Sequence, residues 1–235
     1  MEGPGEIGPA PRQAATAVTG TRRDVETPRP PGAVPTLRAG TVEVRRLGLD
    51  DVGLVALIDR SERVEVEYRV VDGALRRRPV TMVDIPPWDP DGDGPFSVAH
   101  HVQECRELVR GGALPLGGLL GGGLVGVAVV DPVFDPPLAW LAFLHVSAPA
   151  RRRGVASALW AAATGVAGAS GAECLYVSAT PTGSAVGFYL RQGCRLADPV
   201  HPALFAKEPD DIHLVLPLGG PAARDPEPPG GANHG

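Results

Sequence analysis

Lysine is nearly absent. The chain has 235 residues and one lysine, Lys207, which sits between Ala206 and Glu208. A P-loop needs Gly-Lys-Ser/Thr, so phosphoryl transfer by that route is excluded. Cysteine is also scarce. Cys105, Cys174 and Cys194 are scattered, odd in number and form no CxxC pair. Neither a disulfide framework nor a zinc ribbon is supported, and a reducing, cytoplasmic setting is expected. Positive charge is in deficit, with a net charge of −5. That argues against a broad electrostatic grip on nucleic acid. GxSxG and HExxH do not occur, which removes the usual pointers to a serine hydrolase or a zincin. No apolar signal segment opens the chain.

Glycine and proline are abundant instead, at 31 and 26 residues. They crowd the ends. Residues 1–40 hold 13 of them and residues 217–235 hold 10. The two ends therefore read as disordered tails. Residues 41–216 read as one domain, long enough to bury a full core. Two uncharged runs invite a membrane reading. The first, Gly111 to Val130, has eight glycines and Pro115, so it suits strands around a turn better than a spanning helix. The second, Gly154 to Ala172, is mostly Ala, Gly, Ser and Thr, too weakly apolar to insert. No membrane association is expected.

Patterning supplies the elements. Thr41–Leu47 alternates as a strand, and Leu49–Glu62 has helical spacing. Arg63–Val71 and Leu75–Val83 flank Asp72-Gly73, a hairpin signal. Ser97 is placed to cap a helix reaching about Arg110. Strands are expected at Leu114–Leu120, Leu124–Asp131, Leu138–Val146, Glu173–Ser178 and Ile212–Leu216. Helices are expected at Gly154–Gly168 and Gly183–Gln192, the latter stopped by Gly193. Strands of mixed direction with helices between them give an α/β (α+β) class.

Three motifs are misleading. Gly121 to Gly126 matches GxGxxG, but its glycines open a strand where a dinucleotide fingerprint must open a helix. Asp89, Asp91 and Asp93 imitate a calcium loop, yet the twelfth position is His100 where a bidentate Glu belongs. His100, His101 and Cys105 share a helix, with no second cluster to complete a zinc site.

The chemistry concentrates in Leu141 to Ala156. An apolar strand runs into the basic turn Arg151-Arg152-Arg153, and a helix starts near Gly154. The first turn of a helix presents unpaired N–H groups and a positive dipole end. Small Gly154 and Ala156 would let an anion approach the backbone. Together these make a pyrophosphate cradle, while a basic strand-to-helix loop is the plain alternative.

Arg151-x-x-Gly154-x-Ala156 after Val146 resembles the acetyl-CoA signature of the GNAT superfamily of N-acetyltransferases. Thr182-x-x-Ala185-x-x-Phe188-Tyr189-x-x-x-Gly193-Cys194 resembles that family's second block. The resemblance is tightest over residues 138–194 and extends loosely over about 41–216. It implies a mixed, mostly antiparallel central sheet flanked by helices, and acetyl-CoA as co-substrate. It also implies that the strand around Leu144 and Val146 splays from its neighbour and binds the pantetheine arm. Arg151, Arg152, Arg153, Gly154, Val155, Ala156 and Ser157 would hold the pyrophosphate, with Thr182 where the family usually has Asn. Tyr189 would be the acid for the leaving thiolate; aromatic packing is its alternative.

The acceptor implied is an amine, of a small molecule or a peptide, served by a monomer or a homodimer. A primary amine must lose a proton before attack. His145 is the titratable group in Leu138–Val146 and a candidate base, although strand alternation could turn it away. Glu62, Glu65 and water are alternatives. A non-catalytic acyl-CoA-binding module on the same fold is the second functional expectation.

Overall fold

The computed structural model describes residues 41–219; the expected tails at 1–40 and 220–235 lie outside the described residues. The chain opens with β1 (Val42–Arg46), then a 3-10 helix at Asp50–Leu57. The hairpin β2 (Glu62–Val71) and β3 (Ala74–Ile85) follows, then α1 (Val98–Arg110), β4 (Leu114–Leu120), β5 (Gly123–Asp135) and β6 (Leu138–Val146). After these come α2 (Val155–Ala169), β7 (Cys174–Ala179), α3 (Gly183–Arg191), β8 (Arg195–Leu196), α4 (Pro202–Lys207) and β9 (Ile212–Pro217).

Seven strands form the central sheet in the order β1-β4-β5-β6-β7-β9-β8. Every neighbouring pair is antiparallel except β6 with β7. The parallel pair is the one joined through a helix, α2, as a crossover requires. Strand β5 is buried along Val125–Val130, so its unbroken apolar run meets protein on both sides. On one side Leu159, Trp160 and Ala163 of α2 pack with Ala128, Val130 and Leu141. On the other, Val102 and Cys105 of α1 and Val52 and Val55 of the 3-10 helix pack with Val127, Val129 and Phe143.

Local chemistry accounts for the turns. Gly121 and Gly122 both have positive φ, 61° and 81°, which a two-residue hairpin loop demands. They join β4 to β5, so this GxGxxG match is a β-turn. Asp72 and Gly73 also have positive φ and close β2–β3. That hairpin stands outside the central sheet as its own two-stranded sheet. Ser97 caps α1, its hydroxyl accepting from the His100 amide at 3.1 Å. The acidic loop turns inward: the Asp89 carboxylate accepts from the amides of Asp91 and Gly92.

One expectation changes and two elements are added. The helix expected over Leu49–Glu62 is a 3-10 helix ending at Leu57, and Glu62 already belongs to β2. Gly53 within an eight-residue segment weakens the α form. The short elements β8 and α4 carry no periodicity long enough to read. The start of α4 is nonetheless marked by His201, whose ring caps Leu204, with Pro202 beside it. No helix among the described residues is long and apolar enough to cross a membrane.

Candidate active site

Strand β6 creates the site by parting from β7. The two pair from Leu138/Cys174 to Leu141/Val177 and then stop. A register shift in β6 lies just there: Val130 opposes Leu141 while Val129 opposes Phe143, leaving Ala142 as the extra residue of a bulge. Beyond it, residues Phe143 to Val146 stay with β5, while Ser178 and Ala179 stay with β9. A gap opens between two strands that were neighbours. The β6 edge around Leu144 faces it without a ladder partner, as a strand-like ligand requires.

The turn after β6 aims α2 at the mouth of that gap. Arg151 holds the turn: its Nε donates to the Val146 carbonyl at 3.2 Å and its Nη2 to the Arg60 carbonyl at 3.0 Å. Its other terminal nitrogen lies 3.9 Å from Glu62. Arg151 is therefore a clamp on the backbone rather than a side chain reaching outward. Arg152 and Gly154 both have positive φ, 63° and 83°. A Cβ on Gly154 would meet nothing within 4 Å, so glycine is needed there for its φ and not for close approach. The first α2 bond runs from the Ala158 amide to the Gly154 carbonyl. The amides of Val155, Ala156 and Ser157 precede it and have no intrahelical partner. Arg152 is exposed and Arg153 partly buried beside them.

Two strand glycines seat this helix. A Cβ on Gly118 or on Gly126 would lie 2.9 Å from Val155 Cγ1, inside any ordinary contact. These two residues oppose each other across β4 and β5 and open a slot for the first turn of α2.

Tyr189 projects from α3 into the core on the α2 side, 5.4 Å from the Trp160 ring. Burial pushes its phenol above the usual range, with smaller contributions in the same direction from nearby Cys194 and Asp211. It stays protonated in all ordinary buffers. Cys194 is buried, and burial raises its thiol to about 12, so it packs as a small apolar residue. Thr182 is buried and caps α3, its hydroxyl accepting from the Ala185 amide at 3.3 Å and lying 3.1 Å from Ser184 Oγ. Its oxygen is thus engaged within the helix start.

His145 lies on the opposite face of β6. Its ring packs 4.5 Å from Phe143 and 5.2 Å from Trp88. Burial lowers its pKa to about 3, helped by the charges of Arg60, His101 and Arg151. It is neutral at neutral pH, and a weak base.

The β2–β3 hairpin lies across the end of β7. The Tyr68 amide donates to the Pro181 carbonyl at 2.8 Å, and Glu67 bridges Thr182. A Cβ on Gly183 would fall 2.9 Å from Val66 Cβ, so the hairpin rests directly on the start of α3. Two cavities flank this crossing. The smaller, about 390 Å³, is lined by Arg63, Arg77, Arg152 and Arg191 with Glu62 and Glu65, and reaches Gly183 and Ser184. The larger, about 840 Å³, lies toward Ala197, Phe205 and Asp211.

Residues 83–194 match the profile of the acetyltransferase (GNAT) family. That segment, just under half of the chain, is similar to a GNAT acetyltransferase domain. The chain's fold agrees with solved GNAT structures. Nourseothricin acetyltransferase superposes with a TM-score of 0.58 at 21% identity, covering 76% of this chain and 99% of that one. A putative streptothricin acetyltransferase from Bacillus anthracis, solved with acetyl coenzyme A, gives 0.58 at 15% identity over 75% and 98%. The ribosomal-protein-S18-alanine N-acetyltransferase from Escherichia coli gives 0.50 at 14% identity over 78% and 98%. At these identities the likeness is one of fold. No curated protein is significantly similar in sequence.

Within this GNAT fold, Leu144 and Val146 on the freed edge of β6 lead into the turn and first residues of α2 from Arg151 to Ser157, Thr182 caps α3 under the hairpin, and Tyr189 lies in the core against Trp160. His145 stands behind β6, on the α1 side. Sequence reasoning missed Arg77 and Arg191, which the hairpin and α3 bring beside Arg152. It also missed Asp211, which follows a short helix without a motif and acts on the Tyr189 phenol.

Proposed function

We propose that this GNAT-like protein transfers an acetyl group from acetyl-CoA to a primary amine. The observation that carries the reading is the β6–β7 gap ending at the open first turn of α2. An extended thiol arm fits between the parted strands, and a pyrophosphate fits the amides of Val155, Ala156 and Ser157. The guanidinium groups of Arg77, Arg152 and Arg191 line the adjoining cavity and suit the remaining phosphate charge. The acetyl-CoA complex of the Bacillus anthracis relative supports the same ligand.

The chemistry is a direct displacement. The acceptor ammonium first loses a proton. The nitrogen lone pair then attacks the thioester carbonyl, the C–N bond forms, the C–S bond breaks with its electron pair going to sulfur, and the nitrogen releases its second proton. Tyr189 supplies the proton that converts the thiolate to a thiol and recovers one, through water, from the acylated nitrogen. A backbone amide near Val146 steadies the developing oxyanion. His145, with a pKa near 3, would be a poor acceptor for an ammonium proton, so that proton leaves through water. Most of the acceleration then comes from holding the two reactants in place.

The test is thiol release from acetyl-CoA against a panel of amines. Transfer to at least one amine, with one thiol released per acetamide formed, supports the reading. CoA binding with no transfer to any amine would make the protein a binding module of the same fold.

A further inference from the structure

The larger cavity differs in chemistry from the smaller one. Its walls come from Glu67–Val70 of β2, from residues 196–200 and from residues 205–213. Val70, Val200 and Phe205 line it and are 38–50% exposed, an apolar lining that no described segment covers. Asp198, Asp210 and Asp211 line it too. None of the three has an ion pair or a side-chain hydrogen bond among the described residues. Its one arginine, Arg69, is 3.5 Å from Glu67, and Glu67 is also bonded to Arg78, so that cluster keeps a single positive charge against the three aspartates. Asp211 feels the crowding: burial, Glu208 and Asp210 together raise it to about 7. The volume, about 840 Å³, is that of a small-molecule site.

The cavity also borders the hairpin crossing: Pro181, which accepts from the Tyr68 amide, lines it, and the next residue, Thr182, caps α3, the helix that carries Tyr189. Only the β2 crossing over Pro181 and Thr182 separates it from the arginine-lined cavity.

We infer that this cavity is the acceptor site and that it selects an organic amine carrying at least two positive charges on an apolar body. The inference rests on the acetyl-transfer reading above. The charge count decides the class. An amine that is about to attack is neutral, so a monoamine leaves the negative charge of Asp198, Asp210 and the partly protonated Asp211 in excess at the moment of reaction. A second ammonium, which does not react, keeps its pairing throughout. The apolar walls take the methylene chain between the two charges.

Two measurements test it. Initial rates at saturating acetyl-CoA are compared for n-pentylamine and 1,5-diaminopentane, in the wild type and in the Asp210→Asn/Asp211→Asn variant. The expected result is a kcat/KM at least tenfold higher for the diamine, lost in the variant through KM, with KM for acetyl-CoA changed less than twofold. Equal kcat/KM for the two amines, or a variant that slows both alike, overturns the inference while acetyl transfer stands. The second measurement is calorimetric titration of the wild-type protein with 1,5-bis(trimethylammonio)pentane, which has no N–H to acylate and needs no variant to fold. Saturable binding that weakens as salt rises supports the site. Absence of binding while CoA still binds overturns it. Binding of the bis-quaternary cation with no turnover of any amine keeps the cation site and sinks the transferase reading.

Discussion

Replacing Gly126 by alanine asks whether the seat of α2 controls the cradle. The new methyl would lie 2.9 Å from Val155 Cγ1, 3.0 Å from Leu159 Cδ1 and 3.2 Å from Val146 Cγ2. Ordinary carbon contacts are about 3.5–4.0 Å, so something must move by half an ångström or more. The neighbours are fully buried and have nowhere to go except outward with the helix. Overpacking of this kind costs about 1–3 kcal/mol, and the stiffer unfolded chain returns about 0.4–1, leaving a net loss of roughly 1–2 kcal/mol. For a domain of this size that is about 2–4 °C of Tm per kcal/mol. Val155 is the first residue of α2, so the displaced atoms carry the amides proposed to hold pyrophosphate. Weakening one charge-assisted bond by about 1.5 kcal/mol raises the Kd for CoA roughly tenfold. Urea unfolding and calorimetric CoA titration read the two effects. Adding Val155→Ala removes the methyl that collides, so the pair should couple by about 0.5–3 kcal/mol. Unchanged stability in Gly126→Ala would refute the packing argument. Lost stability with an unchanged Kd would refute the link from the seat to the cradle.

Four further outcomes are expected. Tyr189→Phe should lower kcat by about a hundredfold with the Kd for CoA unchanged, and an unaltered kcat would remove the acid role. Thr182→Ala should cost about 1 kcal/mol in urea unfolding through loss of the α3 cap, while Thr182→Ser should cost little. Arg151→Lys should weaken CoA binding even though charge is kept, because lysine cannot bridge the Val146 and Arg60 carbonyls together; equal affinity would refute the clamp. His145 sits far below its ordinary pKa in the fold, so the unfolded chain binds its proton first. Its contribution to stability is complete above about pH 6.5 and falls as pH drops toward 3, by at most about 1.4 kcal/mol per pH unit. Asp211, shifted up to about 7, acts in the opposite sense. The His145 effect is therefore read as the difference between wild type and His145→Gln, and a difference flat from pH 7 to 4 would count against it.

Much of the architecture was legible because it is decided within a few residues. Ser97 finds the His100 amide three residues on, and Asp72-Gly73 and Gly121-Gly122 supply the positive φ their hairpins need. The basic turn at Arg151 to Gly154 opens a helix as its spacing implies. Where a feature depends on a distant partner, the local pattern is silent. The direction of Arg151 is set by the carbonyl of Arg60, far away in sequence. Gly118 and Gly126 look like ordinary breaks in strands until α2 is laid over them. His145 reads as a base at its free pKa, but Trp88, Phe143 and the nearby charges decide what it is in the fold.

The sequence by itself carried the GNAT resemblance in its motifs, while local backbone chemistry and apolar period set the order of the longer elements and the basic turn that opens α2. Only the tertiary structure decided the site. The Ala142 bulge parts β6 from β7, the hairpin crosses at Pro181, and residues from β2, β8 and β9 meet around one cavity. Close packing brought those groups together from across the chain, and Asp198, Asp210 and Asp211 count as one field because, among the described residues, no cation pairs with them.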